Sequence, residues 1–229
     1  MEKAKMASCA KAVLEIKKAT YIGIGSGSTI VYLFSLMQKQ FTQEELNSKI
    51  FIPTSFQSQK LIHDHNLFQG SLNQYPELDI VIDGADEETK EMTAIKGGGG
   101  CHYLEKLVYA SSKRKIIVVD ESKPSLLLGT KWKTVPVEVD SIALSCVEAK
   151  LTLLNYKHLL RMSTTKAGPC ITDQGNCIVD IQLLEPIKNI REMYQEIKLI
   201  TGVIEVGLFW NYDMLLIGKL DGTCEVIEK

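Results

Sequence analysis

The sequence predicts an α/β protein: a Rossmann-like, mainly parallel sheet with helices on both faces, plus a smaller inserted α+β domain. Up to about residue 130, short apolar strands alternate with segments of helical periodicity, and this alternation is typical of a parallel sheet covered by helices. The order then becomes strand, helix, two strands and helix, which indicates a small α+β unit. We therefore expect a main domain at 1–130 and 203–229 and a smaller domain at 131–202.

The elements of the main domain follow one another at short intervals. Strands are predicted at 20–24, 49–53, 78–83 and 114–120, and helices at 1–19, 28–40, 55–65 and 101–112. Ser55 is a plausible N-cap for the third of these helices, because its hydroxyl can accept from a free amide of the first turn.

The second half of the chain carries different signals. A strand is predicted at 135–139, a helix at 141–154, and two strands within 169–184 that are joined by a turn at Asp173–Asn176. A helix follows at 185–200, with Pro186 near its first turn. The strand-rich end of the chain, 202–227, is expected to return to the first sheet.

The composition is that of a globular protein of 229 residues with a net charge of −2. This charge gives no reason to expect a nucleic acid or an anionic membrane as a partner. No apolar run approaches the length of a membrane span, and lysines interrupt the apolar positions of the N-terminal helix, unlike a signal peptide. The six cysteines are scattered without a CxxC pair. Together these features predict a cytoplasmic protein with reduced thiols.

Unusual segments follow four of the predicted strands, where ligands of parallel sheets bind. They are GIGSGST, PTSFQSQ, DGADE and SKPS, and KGGGG precedes a further helix. The first resembles a dinucleotide fingerprint, but Ser28 replaces its third glycine and no acidic residue closes the second strand. Bare amides with the hydroxyls of Ser26, Ser28 and Thr29 instead suit a single phosphate. The alternative is a glycine turn in which Ser28 only caps the helix.

DGADE places Asp83 and Asp86 in a turn after an apolar strand. Turn formation alone could explain them. Beside a phosphate loop they are candidates for proton transfer to sugar hydroxyls, and their spacing also permits a divalent metal.

KGGGG leaves the backbone bare between Lys96 and Glu105. Such a run exposes its amides to ligand oxygens. A carboxylate early in the following helix and a cation before the loop suggest carbon-acid chemistry, in which a base removes a proton beside a carbonyl and fixed charges stabilise the enediolate. Alternatively Glu105 is a solvated helix residue, as we expect for Lys106. His102 is given no role.

In this order, GIGSGST, PTSFQS, DGADE, KGGGG with EK four residues later, and DESK resemble the ribose-5-phosphate isomerase type A family. Weaker similarities follow at PVEV (136–139), TDQGN (172–176) and VGLF (206–209). The resemblance implies an isomerase of D-ribose 5-phosphate and D-ribulose 5-phosphate that uses no metal or organic cofactor. It also implies a homodimer or homotetramer.

The resemblance assigns roles residue by residue. Glu105 corresponds to the base that moves the proton between C1 and C2, and Asp83, with Asp86 beside it, to the carboxylate of ring opening. Lys96 corresponds to the group that holds the enediolate oxygens. The implied substrate-binding residues are Ser26, Gly27, Ser28, Thr29, Gly84, Ala85, Gly97, Gly98, Gly99 and Lys123.

The sequence departs from the family pattern directly before Glu105. Leu104 stands where an arginine is common, and Cys101-His102-Tyr103 replaces small apolar residues. Two other classes share the scaffold: the sugar-phosphate sensor domains of transcription regulators, and other enzymes such as amino-sugar-phosphate deaminases or CoA-transferases. A sensor has no need of Glu105, and the other enzymes use a different base or a glutamyl nucleophile.

Overall fold

Thirteen strands and seven α-helices form the chain, and a computed structural model describes all of residues 1–229. The strands are β1 (Tyr21–Ile24), β2 (Ile50–Pro53), β3 (Leu78–Asp83), β4 (Glu87–Thr89), β5 (Thr93–Ile95), β6 (Ser112–Asp120), β7 (Thr134–Val139), β8 (His158–Leu160), β9 (Cys177–Gln182), β10 (Val203–Val206), β11 (Leu208–Trp210), β12 (Met214–Gly218) and β13 (Cys224–Glu228). The helices are α1 (Glu2–Ile16), α2 (Ile30–Gln40), α3 (Gln43–Asn47), α4 (Phe56–Asp64), α5 (His102–Ala110), α6 (Leu144–Leu153) and α7 (Ile190–Lys198). None of these helices combines the length and apolar composition that crossing a membrane requires.

The chain divides into two compact units. The first contains 1–85, 104–124 and 211–229, and the second contains 86–103 and 125–210. The second unit therefore includes the predicted smaller domain together with segments on either side of it. The domain boundaries proposed from the sequence stay a prediction.

A six-stranded sheet in the order β13-β12-β6-β3-β1-β2 organises the first unit. All its pairings are parallel except that between β12 and β13. Alternate residues of β1 show that helices cover both faces. Ile22 and Ile24 are buried in a cluster with α1 and α2, whereas a Cβ on Gly23 would lie 2.4 Å from Val108 of α5. The predicted mainly parallel sheet is confirmed.

Ser55 caps α4 as the sequence predicts. Its hydroxyl accepts from Ser58 N at 3.1 Å, and the Ser58 hydroxyl accepts from Ser55 N at 3.0 Å, a reciprocal pair that satisfies two free amides. The short helix α3 was not predicted, although Thr42 and Glu45 form a capping box there.

Two antiparallel sheets form the second unit. One has the order β10-β7-β9-β8 and the other the order β11-β5-β4. Val137 of β7, Val179 of β9 and Ile197 of α7 belong to one buried cluster, which places the core of this unit between the four-stranded sheet and its helices. The β4–β5 hairpin lies inside the DGADE-to-KGGGG interval and was not predicted.

The strand pair predicted within 169–184 is partly wrong. Residues before the turn form only isolated bridges such as Ile171 with Cys177, because Thr172 N and its hydroxyl are bonded to Asn176 in closing the turn. β9 instead pairs with β7 on one side and with β8 on the other, and the sequence analysis missed β8. Pro186 is not in the first turn of α7, since that helix begins after Asn189, whose side chain accepts from Glu192 N.

The strand-rich C-terminal segment is shared between the two units. β12 and β13 return to the first sheet, as predicted. β10 and β11 instead pair with β7 and β5 of the second unit.

Candidate active site

The loop after β1 is joined to the loop after β2 by hydroxyl groups. Ser26 Oγ donates to Ser55 Oγ at 2.7 Å and lies 3.0 Å from Thr54 Oγ1. Gly27, which has a φ of +100°, donates its N–H to Gln57 Oε1 at 2.7 Å. The side chains of the second loop therefore hold the first loop in shape. The sequence grouped the two segments at one sheet edge but did not predict that Thr54, Ser55 and Gln57 would contact the first loop.

Ser28 and Thr29 precede α2 with hydroxyls that do not cap the helix. Thr29 is the N-cap, yet no side-chain capping bond is formed there, which argues against the plain capping interpretation. Ser28 is exposed, and its Oγ accepts from Lys5 Nζ of α1 at 2.7 Å. A helix N-terminus, two hydroxyls and an ammonium group together favour a phosphate dianion.

Lys5, which contacts Ser28, is a candidate site residue that the sequence analysis missed. It is one of several lysines spaced along an amphipathic helix, and nothing in that spacing separates it from Lys3 or Lys11.

Asp83 ends β3 and is buried against the first loop. Its Oδ1 accepts from Ser26 N at 3.1 Å and from Gly84 N at 2.7 Å. A Cβ on Gly25 would lie only 1.9 Å from this oxygen. The first glycine of the GSGST run is therefore bare because the aspartate occupies the space that a side chain would need.

Glu105 lies in the first turn of α5 and is only 5% exposed. The alternative interpretation of Glu105 as a solvated helix residue is therefore wrong. Burying a carboxylate carries a free-energy cost that a surface glutamate avoids, and its position near a helix N-terminus partly offsets that cost. Lys106 is half-buried, and His102 is fully buried.

The turn after β6 fixes Lys123. Asp120 is buried, and its Oδ1 accepts from Ser122 N at 3.0 Å and from the Ser122 hydroxyl. Lys123 N donates to Asp120 O at 3.1 Å, so the carboxylate and the carbonyl of Asp120 both shape the turn. Lys123, half-buried, belongs to the first unit together with Ser26 to Thr29, Asp83 and Glu105.

Lys96 follows β5 in the second unit and is buried at 3% exposure. Its N–H donates to Gly207 O at 2.9 Å, and its Nζ lies 5.4 Å from the centroid of the Phe209 ring. A Cβ on Gly207 would approach Lys96 O to 2.2 Å. The VGLF segment, whose role the sequence did not reveal, thus supports the backbone and the ammonium group of Lys96.

The glycines after Lys96 are bare for different reasons. Gly97 has a φ of +100°, and a Cβ there would lie 2.6 Å from His102 Nδ1. Gly98 N donates to Asp86 Oδ2 at 2.7 Å, and a Cβ on Gly98 would lie 2.7 Å from Asp86 Oδ1. No atom lies within 4 Å of a Cβ built on Gly99.

Asp86 therefore contacts the glycine loop as a hydrogen-bond acceptor. The structure contains no group of three or more His, Cys, Asp or Glu side chains placed to hold a metal ion.

A loop of bare amides and hydroxyls at the carboxyl edge of a parallel sheet, with the buried carboxyl group of Asp83 against it, is typical of an α/β enzyme for a small phosphorylated substrate. The family model described as ribose 5-phosphate isomerase A (phosphoriboisomerase A) matches residues 50–222. The chain belongs to the ribose 5-phosphate isomerase A family.

Relatives and solved structures agree with this family over the full chain. The ribose-5-phosphate isomerase of Dictyostelium discoideum is 44% identical over 231 residues, covering 99% of this chain and 98% of that protein. The structure of ribose 5-phosphate isomerase A from Methanocaldococcus jannaschii matches with a TM-score of 0.91 and 35% identity, covering 100% of this chain and 99% of that chain. A D-ribose-5-phosphate isomerase solved in complex with phospho-erythronic acid matches with a TM-score of 0.93 and 33% identity, at the same coverage. The resemblance and the fold class predicted from the sequence are confirmed.

Proposed function

We propose that this protein interconverts D-ribose 5-phosphate and D-ribulose 5-phosphate through an enediolate, in the non-oxidative pentose phosphate pathway. The observation that carries the proposal is the buried carboxylate of Glu105 in the first turn of α5. Membership of the isomerase family supports it. A sensor domain would bear the cost of burying this group without using it.

Glu105 is the base in the proposed mechanism. It takes the proton from C2 of the open-chain aldose, and the electron pair moves so that O1 becomes negative. Glu105 then delivers the proton to C1, while the proton on O2 passes to O1 and leaves a carbonyl at C2. General-base help of this kind is worth roughly 10²–10⁴ in rate.

The first unit binds the phosphate and opens the sugar ring in this proposal. Ser26, Gly27, Ser28 and Thr29 hold the phosphate, with Lys5 adding charge through Ser28. Asp83 moves a proton from the anomeric hydroxyl to the ring oxygen as the bond between C1 and that oxygen breaks. The substrate-binding assignments further include Gly84, Ala85 and Lys123.

Lys96 and the glycine loop after it stabilise the intermediate in this proposal. Lys96 and the amides of Gly97 and Gly99 hold the developing negative oxygens, and one such donor is worth about 2.7–4 kcal/mol. The amide of Gly98, which the sequence also assigned to the substrate, is not available for this role because it donates to Asp86 Oδ2. Asp86 accepts from Gly98 N and keeps the loop in place. All these groups belong to the chain itself, and no metal or organic cofactor takes part.

We further propose that the protein acts in the cytoplasm as a homodimer or homotetramer. The six free cysteines, two of them buried, suit a reducing compartment. Light scattering coupled to gel filtration tests the oligomeric state, and a monomer at micromolar concentration contradicts it.

The test of the activity is direct. The purified protein is mixed with ribose 5-phosphate and EDTA, and ketopentose formation is followed. If no ketopentose forms, the proposed isomerase activity is contradicted.

The Glu105→Gln variant tests the base. We expect kcat to fall by roughly 10²–10⁴-fold while KM changes by less than about threefold. The matched control is Glu77→Gln, because Glu77 is an exposed glutamate of the same unit and should leave the kinetics unchanged. Equal exchange of the C2 proton with solvent in the parent and in Glu105→Gln would place the base elsewhere.

A further inference from the structure

Arg161 lies one residue beyond β8, outside every motif that the sequence analysis recognised. Its backbone is fixed on both sides, because its N–H donates to Ile178 O at 2.8 Å and its carbonyl accepts from Cys170 N at 2.8 Å. Its guanidinium forms a two-point ion pair with Asp180, with Nε at 2.7 Å and Nη2 at 2.5 Å from the two carboxylate oxygens. The two side chains are only 17% and 19% exposed. The guanidinium group is therefore held rigidly.

The remaining edge of this guanidinium contacts the glycine loop. Nη1 of Arg161 donates to Gly97 O at 2.8 Å and to Gly98 O at 3.1 Å. These two carbonyls belong to successive peptide planes, so one side chain sets the orientation of both.

The orientation of each carbonyl determines where the N–H of the same plane points. In a planar trans peptide the carbonyl and the following N–H point in opposite directions. In the first plane, Gly97 O faces Arg161, and Gly98 N–H donates to Asp86 Oδ2 at 2.7 Å on the other side.

In the second plane, Gly98 O faces Arg161, and Gly99 N–H must likewise point away from the guanidinium. This amide donates to no group of the chain, and the space at Gly99 is open. The neighbouring amide, that of Gly98, donates to a carboxyl oxygen, that of Asp86.

We infer that Arg161 is a positioning residue that presents Gly99 N–H to the negative oxygen of the enediolate. Its charge also polarises the peptide between Gly98 and Gly99, since a carbonyl that accepts a hydrogen bond makes the N–H of its own amide a stronger donor. This role rests on the proposed isomerase function. Arg161 would affect the isomerase reaction only through the backbone of the glycine loop.

The test compares Arg161→Lys and Arg161→Ala with the parent enzyme. Lysine keeps the charge but cannot donate to two carbonyls and a carboxylate in this geometry. Arg191→Lys is the matched control, because Arg191 is exposed on α7 of the same unit. For each protein we measure kcat, KM, and the Kd of phospho-erythronic acid and of inorganic phosphate by calorimetry.

We expect kcat of Arg161→Lys to fall by roughly 10- to 10³-fold, as when an oxyanion donor is misplaced. The Kd of phospho-erythronic acid should rise, while KM and the Kd of phosphate change by less than about threefold. Methylguanidinium added to Arg161→Ala should restore part of kcat.

Unchanged kcat in both Arg161 variants would overturn the inference. So would a proportional loss of activity, of analogue binding and of phosphate binding, because that pattern means only a smaller folded fraction. If Arg161→Ala does not fold, Arg161→Lys alone decides between these outcomes. A parent enzyme with no isomerase activity would instead remove the proposed function, so the two failures are distinguishable.

Discussion

The two glycine loops of this protein are held in their conformations by different kinds of group. The loop at Gly25–Thr29 leads into α2 and is held by hydroxyls and an amide side chain from the neighbouring loop. The loop at Gly97–Gly100 leads into α5 and is held through its own peptide groups, by Asp86 and Arg161. In the proposed function, the first loop offers hydroxyls and amides to the phosphate of the substrate, and the second offers backbone amides alone.

One aspartate of the DGADE segment braces each loop. Asp83 occupies the space that a side chain on Gly25 would need, and Asp86 does the same at Gly98. Both glycines are thus explained within the protein. Gly99 is different, because no protein atom lies near its missing side chain. Of Gly25, Gly98 and Gly99, only Gly99 therefore has room for a side chain within the protein, which is what a position facing a ligand would show.

The largest effect is expected at the brace itself. Gly25→Ala would place a methyl group 1.9 Å from Asp83 Oδ1, so the aspartate or the loop must move. We expect kcat/KM to fall by about 10²-fold or more and unfolding free energy to fall by about 1–3 kcal/mol. Denaturant titration and steady-state kinetics measure both quantities. Near-normal activity would show that Asp83 tolerates displacement. The contact between Asp83 and the Gly25 loop would then not be needed for activity.

Gly99→Ala sharpens the comparison because it distinguishes an effect on ligand binding from an effect on protein stability. The added methyl meets no atom within 4 Å, and the residue does not have a positive φ, so stability should stay within about 0.5 kcal/mol of the parent. If substrate occupies this space, kcat/KM should fall by about tenfold, since a crowded oxyanion donor loses part of its effect. Full activity together with full stability would contradict a ligand at this loop.

A smaller effect is expected from the charge beside the first loop. Lys5→Ala removes the ammonium that donates to Ser28 Oγ. KM should rise about three- to tenfold with kcat nearly unchanged, and the difference should shrink as salt is added, because screening weakens exposed charges. Lys11→Ala, on an exposed position of the same helix, is the control. An equal change of KM in both variants would contradict a role of Lys5 in phosphate binding.

The smallest effects concern pH, and they have opposite signs in the two units. Burial alone would raise the pKa of Asp79, but hydrogen bonds from the Tyr21 and Thr20 amides at the start of β1 outweigh it, and the pKa lies below its ordinary 3.8. The stability it contributes is therefore present above that pH and is lost as pH falls. Asp79→Asn should unfold with less dependence on pH below about 4.

Glu138 of the second unit behaves in the opposite way. Burial raises its pKa above the ordinary 4.5, although Asn176 and Thr172 donate to its Oε1. The folded state then binds the proton more tightly, so its stability falls as pH rises from 4.5 towards the folded pKa. Glu138→Gln should lack this decline in denaturant titrations at a series of pH values. An unchanged slope would mean that Glu138 titrates normally.

The sequence allowed prediction of what depends on local pattern. The apolar strand at 78–83, the Ser55 cap and the spacing from Lys96 to Glu105 are all short-range signals, and the structure has β3, the capped α4 and a buried Glu105 at these places. Whether Glu105 is buried could not follow from helical spacing alone, because exposure depends on what packs against the helix.

The sequence could not show contacts made between distant parts of the chain. Arg161 lies 64 residues from Gly97 and has no motif of its own. The strand β8 was missed because HLL is too short to show an alternation of apolar and polar residues. The segment 169–172 resembles a strand in sequence, but its last residue closes a turn. The support of Lys96 by Gly207 is of the same kind.

Gly207 illustrates how a position can be indispensable without meeting any ligand. Its missing side chain lets Lys96 O approach, and its own N–H donates to Pro136 O at 2.8 Å. A saturation library selected for growth should therefore reject substitutions at 207 about as strictly as at 96. An inhibitor-guided redesign that keeps only ligand-contacting positions would discard this glycine and fail for a reason invisible in the binding site.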